Sequence, residues 1–263
     1  MKKKHTITTI QKAKNNQKLV MITAYDALFA SLLQESADII LVGDSLNMSF
    51  AGKEDTVSAT LDQMIYHTKA VCAGAKESFV ICDMPFGTYS DKKTALKNSI
   101  RVFQQTQADA IKIEGGKEKA HIIRHLVENG IAVCAHIGLL PQSVRADGGY
   151  KVKGKTQEEE KQLLKDAKAV EKAGAFMMVI EGVKAEVAKK VAQSVSIPVI
   201  GIGAGRYTDG QVLVWSDMLG FFDKFKPKFV KRYLQGATLT KEAVAKYKQE
   251  VEAGIFPSVD EIY

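Results

Sequence analysis

Short apolar runs alternate with longer amphipathic stretches from about Lys18 to Asp217. The runs are Leu19–Ala24, Ile39–Gly43, Phe79–Cys82, Ala110–Ile113, Ala132–His136, Phe176–Ile180, Pro198–Ile202 and Gln211–Trp215, each the length of a strand. Several are apolar at nearly every position, as strands buried on both faces must be. Between them lie Leu61–Cys72, Lys92–Gln105, Lys117–Glu128, Gln157–Ala173 and Lys184–Ser194. These place apolar residues at three- and four-residue spacing, the pattern of helices with one buried face. Strand–helix alternation predicts a parallel sheet. Eight such units predict an α/β fold of the closed (β/α)8 TIM-barrel type, formed as a single domain. The first βα turn lacks the glycine-rich fingerprint of an open dinucleotide-binding sheet, which supports closure. Residues 1–17 are expected as an N-terminal extension. Residues 223–263 are expected to close the barrel with helices at Lys228–Leu234 and Lys241–Ala253.

Composition changes this picture little. The 263 residues suit one barrel, and 46% hydrophobic with 25% charged residues is ordinary for a globular chain, which excludes bulk disorder. The net charge of +7 lies partly in Met1-Lys2-Lys3-Lys4-His5. The other lysines are spread along helices and not gathered with aromatics, so no nucleic-acid partner is expected. A solvated surface with a mild attraction for small anions accounts for the charge. Cys72, Cys82 and Cys134 show no metal-ligand spacing and read as reduced thiols. No apolar run approaches a membrane span, and the start lacks a secretory signal, so the expected location is cytoplasmic.

The chemistry collects where strands end, on the face that carries the active site in such barrels. Five consecutive apolar runs finish with ionisable residues: Asp44 with Ser45 beside it, Asp83, Lys112 with Glu114, His136, and Glu181. Lys112 and Glu114 are two apart, so both point to one side of their strand and Ile111 and Ile113 to the other. Inward-facing charge must pair or hold a metal. Asp44, Asp83 and Glu114 form an all-oxygen set suited to Mg2+, with Asp44 and Asp83 as direct ligands and Glu114 direct or through water. Such an ion chelates a 2-oxo acid and stabilises its enolate. Glu181, a lone carboxylate on another strand, is the expected base, with a pKa raised toward neutrality. Lys112 and Ser45 are expected to bind the substrate carboxylate. His136 either donates to the keto oxygen or positions a carboxylate.

Two loops stand out. Arg145–Thr156 is long, polar and glycine-containing, either a lid or a passive surface loop. Gly201-Ile202-Gly203-Ala204-Gly205 follows the seventh strand, either as part of an anion site or as a tight turn.

The motifs, taken together, resemble one family. They are Leu41-Val42-Gly43-Asp44-Ser45-Leu46, Tyr66-His67-Thr68, Asp83-Met84-Pro85-Phe86 and Ile111-Lys112-Ile113-Glu114-Gly115-Gly116. His136-Ile137-Gly138-Leu139, Pro141-Gln142-Ser143, Gly148-Gly149-Tyr150-Lys151-Val152, Pro198–Gly205, Thr208-Asp209-Gly210-Gln211 and Pro227-Lys228-Phe229 complete the set. From about Thr23 to Phe256 the chain resembles the ketopantoate hydroxymethyltransferases. The resemblance implies transfer of a one-carbon unit from 5,10-methylenetetrahydrofolate to 3-methyl-2-oxobutanoate, giving 2-dehydropantoate for pantothenate synthesis. It implies Mg2+ on Asp44, Asp83 and Glu114, substrate contacts from Ser45, Asp83 and Lys112, and Glu181 as base. It also implies a cytoplasmic homo-oligomer, a decamer of two pentameric rings. One departure is the run Glu181-Gly182-Val183-Lys184, where the family often has cysteine or another small residue and then a proline nearby. Glycine is expected to loosen the backbone beside the base.

Two other classes are weighed. Related 2-oxo-acid lyases need a cysteine in a mobile loop, and Arg145–Thr156 contains none. A non-enzymatic scaffold has no need for costly interior charge.

Overall fold

The computed structural model describes residues 3–223 and 226–263. Met1 and Lys2 of the basic start, and Lys224 and Phe225 of the expected closing segment, lie outside the described residues. One compact unit runs as far as Val214 and a second from Trp215 to Tyr263.

The first unit is the barrel. Its strands are β1 (Leu19–Thr23), β2 (Ile39–Val42), β3 (Phe79–Asp83), β4 (Ala110–Glu114), β5 (Val133–Gly138), β6 (Met177–Glu181), β7 (Val199–Ile202) and β8 (Gly210–Leu213). All neighbours are parallel, and β8 closes on β1 with Leu19 opposite Gly210. Each strand was expected within a residue or two of where it forms. The exception is the end of the last run, where Trp215 opens a helical turn instead.

Helices alternate with the strands. They are α1 (Ile7–Lys12), α2 (Ala27–Leu33), α3 (Leu46–Ser49), α4 (Leu61–Gly74), α5 (Lys92–Gln105), α6 (Ala120–Glu128), α7 (Gln157–Lys172) and α8 (Ala185–Ser194). The expected helix at Lys117–Glu128 begins as a 3₁₀ turn, Lys117–Lys119, and continues as α6. Side-chain caps start the helices where sequence offers them: Thr60 and Gln63 cap α4 reciprocally, Asp91 caps α5 and Thr156 caps α7. No helix among the described residues is long and apolar enough to cross a membrane. Cys72, Cys82 and Cys134 are buried and free, and burial pushes the Cys82 and Cys134 thiols up to about 12.

Alternate strand residues fill the barrel. Leu19, Met21, Ile39, Leu41, Phe79, Ile81, Cys134, Met177, Val179, Ile200 and Val212 belong to one buried cluster. Ile111 and Ile113 are buried but stand outside that cluster, as the two-residue repeat predicts. Helix α1 closes the bottom, for its Ile10 is fully buried and joins the interior cluster. Three aspartates set immediately before strands hold this end. Asp38, Asp109 and Asp209 accept from the backbone N–H of Val20, Val80 and Val199 at 2.9, 2.8 and 2.9 Å. Each also faces a basic group of the N-terminal segment. His5 lies 3.3 Å from Asp38, Lys4 2.8 Å from Asp109 and Lys14 2.7 Å from Asp209.

The second unit holds α9 (Trp215–Met218) and α10 (Gly236–Glu252). The helix expected at Lys228–Leu234 does not form. Val230 closes one turn onto Pro227 at 3.0 Å, but the Tyr233 and Gly236 N–H groups donate to Met218 and Leu219 at 2.7 and 2.9 Å. Those donors are therefore spent outside any local i→i−4 ladder. The last helix starts earlier than the apolar spacing suggested, at Gly236 and not Lys241.

Ile10→Ala leaves a hole in the barrel floor and is expected to cost about 2–5 kcal/mol. Urea unfolding measures it, and a loss below about 1 kcal/mol would show that α1 is not part of the core.

Candidate active site

The inward rows do not stop at the apolar cluster. The two-residue repeat carries them upward from Ile81 to Asp83, from Ala110 to Lys112 and Glu114, from Cys134 to His136, and from Val179 to Glu181. Strand register sets the neighbours. Asp83 stands opposite Lys112, and Glu114 opposite His136. Asp44 lies just beyond β2, where its backbone N–H donates to Asp83 Oδ2 at 3.3 Å.

Every sequence-predicted site residue therefore reaches one end of the barrel. Asp44, Asp83, Lys112, Glu114 and His136 are buried, and Glu181 is mostly so. Lys112 is the hub. Its Nζ lies 2.9 Å from Asp83 Oδ1, 4.0 Å from Glu114 Oε1 and 3.1 Å from His136 Nδ1. Burial alone would lower the Lys112 ammonium, but Asp83, Glu114 and Asp44 outweigh it and raise its pKa.

The acids feel the opposite pressure. Burial, then repulsion from Asp83 and Glu114, holds Asp44 well above the usual carboxylate range. Burial pushes Glu114 up to about 8 against the pull of Lys112. Glu181 rises to about 7, again through burial opposed by Lys112. His136 is driven well below its ordinary value by burial and by Lys112. It is therefore neutral near pH 7. Its Nδ1 accepts from the ammonium, so Nε2 carries the proton; it lies 3.4 Å from Glu181 Oε2 but makes no hydrogen bond there.

Ser45 precedes α3, and its hydroxyl shares a 2.8 Å hydrogen bond with the Tyr25 hydroxyl. Besides Tyr25, two polar residues at this end carry no chemistry legible in the sequence alone, Gln142 and Tyr89. Gln142 sits in the 3₁₀ turn Pro141–Ser143 and donates from Nε2 to Asp44 Oδ2 at 2.9 Å. Tyr89 donates to Gln142 Oε1 and accepts from the Glu114 N–H at 3.3 Å. The Pro141-Gln142-Ser143 motif was a signal for the first. Nothing local marks Tyr89.

The backbone beside Glu181 is held, not loosened. Gly182 has φ of +57°, its N–H donates to Ile202 at 2.9 Å, and its carbonyl accepts from Lys153 at 2.8 Å. Gly138, opposite Glu181 on β5, is required for another reason: a Cβ there would lie 2.4 Å from the Glu181 carbonyl oxygen. The Arg145–Thr156 loop is anchored by that Lys153 bond and by Arg145, whose Nε donates to Asp55 Oδ2 at 2.7 Å. In the Gly201–Gly205 run, Gly203 and Gly205 have φ of +59° and +79°, which fits the tight-turn reading.

A closed parallel barrel with acids, a lysine and a histidine converging at its strand C-termini defines a (β/α)8-barrel enzyme. Solved barrels of like fold include a 2,3-dimethylmalate lyase of the PEP mutase/isocitrate lyase superfamily, with a TM-score of 0.59 and 18% identity over 98% of this chain and 91% of that one. Another is phosphonopyruvate hydrolase, solved with oxalate and Mg++, with a TM-score of 0.63 and 13% identity over 98% and 93% of the two chains. Those likenesses are of fold. Residues 4–259 match the ketopantoate hydroxymethyltransferase family, and the chain belongs to it. It is 71% identical over 257 residues to the 3-methyl-2-oxobutanoate hydroxymethyltransferase of Sulfurimonas denitrificans, covering 98% of each. It is 57% identical to the protein of that name from Helicobacter pylori strain P12, covering 99% of this chain and 97% of the relative.

Gly182→Ala forces a side chain into a left-handed conformation against Leu139, whose Cβ is 3.0 Å away. A loss of about 1–2 kcal/mol is expected from thermal unfolding. An unchanged Tm would mean the turn relaxes freely.

Proposed function

We propose that the chain transfers the one-carbon unit of 5,10-methylenetetrahydrofolate to 3-methyl-2-oxobutanoate. The products are 2-dehydropantoate, on the route to pantothenate, and tetrahydrofolate. The observation that carries the reading is the division of the buried charges within a chain 71% identical to a protein of that name. One carboxylate, Glu181, stands apart from the Asp44, Asp83 and Glu114 group, with His136 between.

Mg2+ fits this group by donor type and by charge. The three acids offer only oxygen and face a single ammonium, and Glu114 Oε1 is buried without a hydrogen bond. The ion would complete its shell elsewhere, because among the described residues no three His, Cys, Asp or Glu side chains stand ready to hold a metal unaided. Mg2+ ordinarily takes one or two carboxylates and fills the rest with water or substrate. Asp44 and Asp83 would hold it, with Glu114 direct or through water. Once bound, it supplies positive charge to the keto and carboxylate oxygens of the 2-oxo acid.

The chain's own groups do the rest. Lys112, kept charged by its neighbours, pairs with the substrate carboxylate, and Ser45, oriented by Tyr25, adds a hydrogen bond. Glu181 removes the proton from C3, since a pKa near 7 leaves a useful unprotonated fraction without weakening the base. His136 Nε2, 3.4 Å from Glu181 and without a hydrogen-bond partner, is placed to donate to it once the carboxylate ionises. The carbon nucleophile so formed takes up the folate methylene. Overall one C–C bond forms at C3, two C–N bonds to the folate break, and a water supplies the hydroxyl oxygen. The resemblance to that family further implies a cytoplasmic homo-oligomer, a decamer of two pentameric rings.

The test is turnover of 3-methyl-2-oxobutanoate with methylenetetrahydrofolate, with and without chelator. Chelation and Asp83→Ala should each abolish turnover, and activity surviving both would end the metal assignment. Exchange of the C3 proton with solvent, measured without folate, isolates the base. Glu181→Gln should slow it by about 10²–10⁴-fold. In the wild type it should fall as pH drops through about 7, because the base is then protonated. Exchange untouched by that substitution would move the base elsewhere.

A further inference from the structure

Resting on the metal reading above, we propose that Gln142 is a positioning residue for cation binding. It sets which oxygen of Asp44 and which of Glu114 is left for the ion. Gln142 is buried, at 5% exposure, so its polar groups must be satisfied within the protein. Its side-chain Nε2 donates to Asp44 Oδ2 and to the Met84 carbonyl, both at 2.9 Å. Its backbone N–H donates to Glu114 Oε2 at 3.1 Å. A single residue thus ties down one oxygen on each of two carboxylates, one just beyond β2 and one at the end of β4. The remaining Glu114 oxygen, Oε1, is the one left buried without a hydrogen bond.

The amide orientation is determined twice over. Met84 O can only accept, so the group facing it is the NH2. On the other side the Tyr89 hydroxyl accepts from the Glu114 N–H, so its own hydrogen goes to Gln142 Oε1. Both Nε2 hydrogens are then committed, one to the Met84 carbonyl and one to Asp44. A buried glutamine serving only to fill space would not need its main-chain and side-chain donors divided between two acids. Partners that orient ligating carboxylates ordinarily carry a 10- to 100-fold share of metal affinity, and that is the role this network fits.

The experiment is a Mn2+ titration of chelator-treated protein, without substrate, followed by electron paramagnetic resonance or calorimetry. Gln142→Met keeps the volume and removes the side-chain donors. It should weaken Mn2+ by about 10- to 100-fold, and saturating Mg2+ should restore most of kcat. Tyr89→Phe releases the amide to turn and should weaken Mn2+ severalfold, which keeps the question answerable if the first variant does not fold. Wild-type binding with both folded variants within about twofold of it would overturn the role of Gln142 alone. Failure of the wild type itself to bind would overturn the metal reading, and this role with it.

Discussion

Four carboxylates buried around one ammonium set the terms for everything at the top of this barrel. Asp44, Asp83, Glu114 and Glu181 share Lys112, directly or through His136. Desolvation and mutual repulsion raise several of these acids, and the same field keeps the lysine charged and the histidine neutral. One arrangement therefore holds one carboxyl group near neutrality, keeps one lysine charged and leaves the cluster short of positive charge. A fold would not retain such an imbalance for stability, because removing charges from water is costly unless each is compensated.

The opposite end of the barrel solves a different problem. Asp38, Asp109 and Asp209 use the same residue type, but each is committed to a backbone N–H and to a basic group of the N-terminal segment. Ile10 is fully buried in the interior cluster. Acids at the strand N-termini hold structure, whereas acids at the C-termini are left partly uncompensated, and that asymmetry is how these barrels separate stability from chemistry.

Barrels of like fold at 13–18% identity carry lyase and hydrolase names, so the fold alone does not choose a reaction. The choice lies in a handful of side chains and in the loops that return to them. The Arg145–Thr156 loop holds no cysteine, and it is tied to Gly182 beside Glu181 and to Asp55.

Hydrophobic periodicity alone specified the eight strands and the helices α4 to α8 between them, but not the short α2 and α3, because a strand buried on both faces and a longer helix buried on one face leave different repeats. It also picked out the charged residues that meet at one end of the barrel, since an ionisable group ending an apolar run has little other reason to be there. It failed at Lys228–Leu234, where apolar spacing suited a helix but the backbone donors were taken by Met218 and Leu219. Only the tertiary structure decided which charges meet. Pairing of Asp83 with Lys112 and of Glu114 with His136 follows from strand register, which no local pattern encodes. Gln142 reaches Asp44 across 98 residues of sequence, and Tyr89 reaches Gln142 across 53. Such contacts depend on how the barrel closes and how its loops return, and those are properties of the assembled chain rather than of any segment of it.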